Sequence, residues 1–159
     1  MKLVSWLLGS LQLPPRTLVS VDPGARLVYF AVFKDGRLVR VGQAENPGDV
    51  DLPYGGEWVF ETPRRYKNRS NTHRDLARLE ARNDRFIWRV KDAGGSYEKA
   101  YPSVWKGNVP KGIHHRRAAK KLTSKELELL PPLEEGYDHN LWDAVALGLW
   151  KLGRMRRGR

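Results

Sequence analysis

A single tight turn, Lys34-Asp35-Gly36, constrains this chain more than any other feature. Asp-Gly supplies the positive φ angles that a two-residue hairpin needs. The runs on either side, Arg26 to Phe33 and Arg37 to Val41, are therefore predicted to pair as antiparallel strands. Upstream, Thr17-Leu18-Val19-Ser20-Val21 reads as a buried strand stopped by Asp22-Pro23-Gly24. Glu57-Trp58-Val59-Phe60-Glu61 reads as a short fourth strand. A helix is expected from about Asn71 to Lys91, ended by Gly94-Gly95, with a fifth strand within Tyr97 to Val104. Lys111 to Leu122 can be helical. Thr123-Ser124-Lys125-Glu126 has the form of a capping box opening a short helix before Pro131-Pro132. The last helix is expected from about His139 to Leu152. Three consecutive strands, then strand, helix, strand and helices, predict one mixed α/β domain.

The chain has 159 residues, 40% of them hydrophobic, which is one domain's worth with a real core. It carries 29 Lys and Arg against 18 Asp and Glu, a net charge of +11. That excess favours a polyanionic partner, nucleic acid first and an acidic membrane surface second. The absence of cysteine excludes a disulfide scaffold, a zinc-thiolate site and a cysteine nucleophile. It fits a cytoplasmic protein. Residues 1–16 form an apolar N-terminal segment without a small-x-small cleavage site, too short to span a bilayer. Val4, Leu7, Leu8 and Leu11 share one helical face there, so packing on the domain or on a partner is expected, with no membrane role. The main domain is expected over 17–152, with a basic tail at 153–159.

The charges fall in blocks. Five acids and no cation lie between Ala44 and Glu61, ten cations and three acids between Thr62 and Lys91, and seven cations, two histidines and no acid between Lys106 and Lys125. On the long helix Arg74, Arg78, Arg82, Arg85 and Arg89 fall within roughly 80° of arc. Leu76, Leu79, Phe86, Ile87 and Val90 form the neighbouring apolar arc, with Asn83 inside it. A stripe of this kind is often a salt-bridged, solvated face. Here Glu80 and Asp84 have no cation three or four residues away, so phosphate contact is the expectation.

Three acids stand out against apolar surroundings. Asp22 and Glu61 each end a strand, and Asp143 lies inside Leu141-Trp142-Asp143-Ala144-Val145-Ala146-Leu147-Gly148-Leu149. Asp22 could be only a turn residue and Glu61 only a solvated strand end. A charge in a nearly apolar helix needs a cation, a metal or neutralisation. Together the three suggest an oxygen-rich site for Mg²⁺ or Mn²⁺. Two such ions about 4 Å apart can activate water and stabilise the leaving oxygen in phosphodiester hydrolysis.

With these motifs in order, the chain resembles the RuvC-type Holliday-junction resolvases of the RNase H-like superfamily, and most the compact bacteriophage branch. The resemblance is carried by Val19-Ser20-Val21-Asp22-Pro23-Gly24, Val59-Phe60-Glu61, Trp105-Lys106-Gly107 with Pro110-Lys111, and His139-Asn140-Leu141-Trp142-Asp143-Ala144, and spans about Thr17 to Leu152. It implies an RNase H-like fold, a five-stranded mixed sheet flanked by helices. It implies catalytic Asp22, Glu61 and Asp143, with two metal ions per site held by these and by Asn140. The family usually has Asp or His at the Asn140 position. His139 shares the face of Asp143 and could substitute, while Asp138 fits a helix N-cap and remains a possible ligand. Lys106 and Lys111 correspond to lysines near the scissile phosphate, Lys111 as a catalytic candidate.

The family inserts a residue at the junction centre from the segment after the Glu, where this chain has Arg64 and Tyr66. Arg64, Arg65, Tyr66, Lys67, Arg69, Arg74, Arg78, Arg82, Lys106, Lys111, Arg116 and Arg117 form the expected DNA-binding set, with Arg154, Arg156, Arg157 and Arg159 adding non-specific attraction. His114-His115 has no zinc spacing and is expected to face DNA or to be structural. The implied activity is metal-dependent cleavage of four-way DNA junctions by a homodimer, with the helix 71–91 and the N-terminal segment as interface candidates. Rivals are another RNase H-like nuclease acting on RNA–DNA hybrids or flaps, and a non-catalytic nucleic-acid-binding protein.

Overall fold

A computed structural model describes residues 15–63 and 73–158. The N-terminal apolar segment up to residue 14, the connector carrying Arg64, Arg65, Tyr66, Lys67 and Arg69, and Arg159 lie outside the described residues. The first three strands are β1 (Thr17–Pro23), β2 (Val28–Lys34) and β3 (Arg37–Ala44), followed by β4 (Glu57–Glu61). Then come α1 (His73–Asp92), β5 (Ser96–Ala100), the short α2 (Pro102–Trp105), α3 (Lys111–Ala119), α4 (Ser124–Leu127) and α5 (His139–Lys151). The sheet order is β3-β2-β1-β4-β5. β1, β2 and β3 form an antiparallel meander, and β4 and β5 add parallel to β1. This is the expected five-stranded mixed sheet flanked by helices.

The hairpin turn adopts the predicted geometry, with φ of 49° at Asp35 and 80° at Gly36. Alternation along the strands then sorts the core into two layers. Val19, Val21, Trp58 and Phe60 point to one side and pack with Phe86, Ile87 and Val90 of α1. Leu18, Ala31, Phe33 and Val59 point to the other and pack with Trp142, Val145 and Leu149 of α5. Leu76 and Leu79, expected in the core face of α1, are only half-buried, so the first half of that helix packs less deeply than the second.

Ser20 lies on the α5 side of β1, and its hydroxyl donates to the Ala144 carbonyl at 2.6 Å. At Gly148 the helix comes so near the sheet that a Cβ would lie 2.1 Å from the Phe33 ring. These two contacts fix the height of α5 over β1, and therefore where Asp143 sits.

The capping box at Thr123 forms as expected, with Glu126 donor-satisfied by the Thr123 N–H. Glu126 is also buried, accepts the Leu38 N–H at 2.8 Å, and takes a two-pronged contact from Arg154 at 2.6 and 2.9 Å. Arg154, expected to offer non-specific attraction to DNA, is therefore committed inside the protein; it also donates to the Gly36 carbonyl. The residues after α5 fold back, with Met155 and Gly158 buried. Among the described residues no helix is long and apolar enough to cross a membrane.

Candidate metal and nucleic-acid site

β1 and β4 run parallel with Val21 opposite Phe60, so the next residues, Asp22 and Glu61, stand side by side at the carboxyl ends of both strands. Period-two alternation puts both on the face covered by α5. Asp22 is 6% exposed and Asp143 3%. All three acids line one cavity of about 490 Å³ together with Asn140, Lys106 and Lys111. The end of β4 is held from the opposite layer, where buried Asn83 donates its side-chain N–H to the Glu61 carbonyl at 2.9 Å. The polar residue inside the apolar arc of α1 thus has a task beside the site.

Asp143 is the most heavily partnered acid. Lys106 Nζ lies 2.7 Å from its Oδ1, Lys111 Nζ 3.5 Å from its Oδ2, and His115 Nε2 2.9 Å from its Oδ1. Burial alone would raise its pKa, but the His115 hydrogen bond, Lys106 and Lys111 hold it well below the usual carboxylate range. Asp22 moves the other way. Burial, and then the charges of Glu61 and Asp143, push it well above its ordinary value, with Lys106 and Lys111 opposing. Glu61 is pushed up to about 7, first by burial, while Lys106, Lys111 and the Trp105 indole pull it back against Asp143. For the Lys106 ammonium burial works downward, yet Asp143, Glu61 and Asp22 leave its pKa raised. The cavity therefore carries more carboxylate charge than its two lysines neutralise.

That surplus bears on a divalent cation. Asp22, Glu61, Asp143 and the Asn140 amide offer oxygens only, the donor type Mg²⁺ and Mn²⁺ take. Glu61 Oε2 is buried without a hydrogen-bond partner, an oxygen left open for a cation. Among the described residues no three His, Asp or Glu side chains stand as a ready-made metal cage, and Lys106 is seated on Asp143. The donor chemistry fits a hard divalent ion, provided the lysine gives way at Asp143.

The remaining expected residues are dispersed. His139 is exposed, and its ring lies 4.3 Å from that of Tyr137 rather than on the cavity wall, whereas Asn140 lines it. Asp138 caps α5, accepting from the Asn140 N–H at 3.0 Å and the Leu141 N–H at 3.4 Å. Arg74 and Arg78 are exposed on α1. Arg82 differs from a stripe free of partners, because it donates to the Arg26 carbonyl. Arg85 likewise reaches the Asn46 side chain at 2.9 Å, and Arg89 lies over the Tyr54 ring. The absence of acids along the helix thus did not leave these arginines free: the loop before β2 and the loop after β3 supply their contacts. Arg116 and Arg117 are exposed on α3.

His114 and His115 do not face solvent. Both are fully buried. His115 bridges Asp143 and the Tyr137 hydroxyl, 2.8 Å from Nδ1. Sequence reasoning missed this role, although His114, His115, Ala118 and Leu122 recur at helical spacing and are the uncharged stripe of a basic segment.

No family model and no curated protein matches this chain. Solved structures do. The chain is similar to a structure of Thermus thermophilus RuvC, with 12% identity and a TM-score of 0.53 over 88% of this chain and 98% of that one. A T. thermophilus RuvC described as in complex with Holliday junction substrate aligns at 13% identity and a TM-score of 0.49, over 85% of this chain and 91% of that one. The fold of this chain is accordingly the RuvC-like, RNase H-like arrangement of a mixed five-stranded sheet with flanking helices.

Proposed function

We propose that the protein is a metal-dependent, structure-selective endonuclease that hydrolyses phosphodiester bonds in branched DNA, four-way junctions above all, and acts as a homodimer. One observation carries the reading: Asp22, Glu61 and Asp143, from two strand ends and a helix, line a single cavity with Lys106 and Lys111. The RuvC-like fold supports the reaction class, and the choice of junctions and of the compact phage-type branch rests on the motif resemblance.

In this mechanism Asp22, Glu61, Asp143 and Asn140 would hold Mg²⁺ or Mn²⁺. The bound ions would supply an activated water and positive charge at the leaving oxygen. The chain's own residues do the rest. His115 carries the proton on Nε2, because ionised Asp143 can only accept, and so fixes the carboxylate's orientation. Lys111, exposed at the cavity rim, contacts the phosphate whose bond breaks. Lys106 neutralises the acids before substrate arrives and turns to phosphate as the cavity fills. Asn140 offers a neutral oxygen where a fourth carboxylate would add charge, so a higher metal requirement follows. The exposed cations of α1 and α3 hold the DNA arms by phosphate contact.

The test compares cleavage of a synthetic four-way junction, an RNA–DNA hybrid and a linear duplex, with and without Mg²⁺. Junction cleavage only with Mg²⁺ is expected. Preferred cutting of the hybrid would move the protein to the other RNase H-like activity. Binding without cleavage of any of the three would make it a non-catalytic nucleic-acid-binding protein, the reading favoured by the lysine seated on Asp143.

A further inference from the structure

A second cavity, of about 540 Å³, lies between the end of α3 and the segment that follows α5. Arg117, Lys120 and Lys121 line it from one side, Arg156 and Arg157 from the other, and no Asp or Glu takes part. Arg154 also borders it, but its guanidinium is taken up by Glu126. Among the described residues none of the other five forms an ion pair with a carboxylate. Five cations gathered around a concave surface repel one another until an anion joins them.

The second observation is independent of charge. His114 lines the same cavity with 0% exposure, and both ring nitrogens are buried without a hydrogen-bond partner. Buried polar groups are almost always satisfied, so an imidazole with neither nitrogen paired points to a missing acceptor or donor. The wall across from it is built rather than trailing. Met155 is buried, Arg154 is tied to Glu126 and to the Gly36 carbonyl, and a Cβ on Gly107 would lie 2.2 Å from the Gly158 carbonyl oxygen.

We propose that this cavity is a phosphate-binding pocket, in which the cations neutralise a phosphate group and His114 donates its ring N–H to a phosphate oxygen. It lies back to back with the acidic cavity: His115 turns to Asp143, and its neighbour His114 turns to the basic pocket. The phosphate could belong to a nucleic-acid backbone or to a free oligophosphate. The inference leans on the nuclease reading only for the choice of DNA as one probe.

The experiment follows the imidazole ¹⁵N signals of the full chain by NMR, in EDTA without divalent ions. Inorganic tripolyphosphate is titrated in first, and a short linear duplex in a separate arm. The His114 signal, identified by its loss in His114→Asn, is expected to move saturably. In the folded surface variant Lys120→Ala/Arg157→Ala the tripolyphosphate affinity falls severalfold. If the source is a nucleic-acid backbone, the duplex moves the same signal, and the slope of log K against log salt shrinks by about 2 in the double variant. If the source is a free oligophosphate, only tripolyphosphate moves it. A His114 signal unmoved by either probe, or an unchanged tripolyphosphate affinity in the double variant, overturns the pocket. Because cleavage is never read, a protein that cuts junctions without the His114 response loses only the pocket, and one with the response but no nuclease activity loses only the nuclease reading.

Discussion

His115 Nε2 lies 2.9 Å from Asp143 Oδ1, a contact between a buried ring and a buried carboxylate across 28 residues of sequence. The Tyr137 hydroxyl, 2.8 Å from Nδ1, completes a hydrogen-bonded chain from phenol to ring to acid, in which the ring donates to the carboxylate. Replacing His115 by Ala removes a hydrogen bond to a buried charge. We expect a stability loss of about 1–3 kcal/mol, and a loss of at least tenfold in junction cleavage with DNA affinity retained. Thermal melts, gel shifts and cleavage on the same samples check this; unchanged cleavage would show that Asp143 needs no orientation.

Glu61 gives a pH signature. Its pKa is about 7 in the folded chain, above the ordinary carboxylate value, chiefly through burial. The folded state therefore holds a proton that the unfolded state has released between about pH 4.5 and 7. Its contribution to stability is present below that window and is lost as pH rises through 7. In metal-free buffer Glu61→Gln should stabilise the protein at pH 8 by on the order of 3 kcal/mol, seen as a higher melting temperature, and change little at pH 4. Mg²⁺ added to the wild type at pH 8 should have the same sign of effect. A variant that melts earlier than wild type at pH 8 would contradict the surplus of charge in the cavity.

Glu126 shows the opposite linkage. The Arg154 hydrogen bonds lower its pKa to about 2, helped by the Thr123 and Leu38 N–H groups against the cost of burial. The stability it contributes is present above about pH 4.5 and is lost as pH falls toward 2. Arg154→Ala should destabilise by about 3 kcal/mol at pH 7, since it strands a buried carboxylate, and by much less at pH 2. Urea unfolding at the two pH values measures the difference.

Much of this architecture was legible in the chain. The Asp35-Gly36 turn, strand alternation and the capping box at Thr123 are local chemistry, and each produced the element it signals. Asp22 and Glu61 were legible because an acid ending an apolar strand is conspicuous, and parallel pairing of β1 with β4 then brings them together. The partners of buried charges were not legible. His115 with Asp143, Arg154 with Glu126, and Arg82 with the Arg26 carbonyl join residues far apart in sequence, and nothing in local spacing reports such pairs. Residues 153–159 read as a basic tail because Met155 and the two glycines, Gly153 and Gly158, show no periodicity. Their packing depends on shape at Gly107 and Gly158.

That shape is testable. A Cβ on Gly158 would lie 2.1 Å from Val109 and 2.9 Å from the Lys106 carbonyl oxygen. Gly158→Ala should therefore push the 106–109 loop and weaken the seat of Lys106 on Asp143, lowering both stability and cleavage. Gly48→Ala, where nothing lies within 4 Å, should stay within about 0.5 kcal/mol of wild type. Equal melting temperatures and cleavage rates for the two variants would mean that the final residues do not brace the loop.

The central claim is that Asp22, Glu61 and Asp143 work as one metal-dependent hydrolytic centre on DNA held by cations elsewhere. The most direct measurement takes wild type, Asp22→Asn and Asp143→Asn, and reads four-way-junction binding and Mg²⁺-dependent cleavage on the same samples. The account predicts cleavage by wild type alone, with junction affinity in both variants equal to or tighter than wild type, because removing a carboxylate reduces repulsion of phosphate. Cleavage retained in both variants, or its absence in wild type with Mg²⁺ and with Mn²⁺, would contradict it.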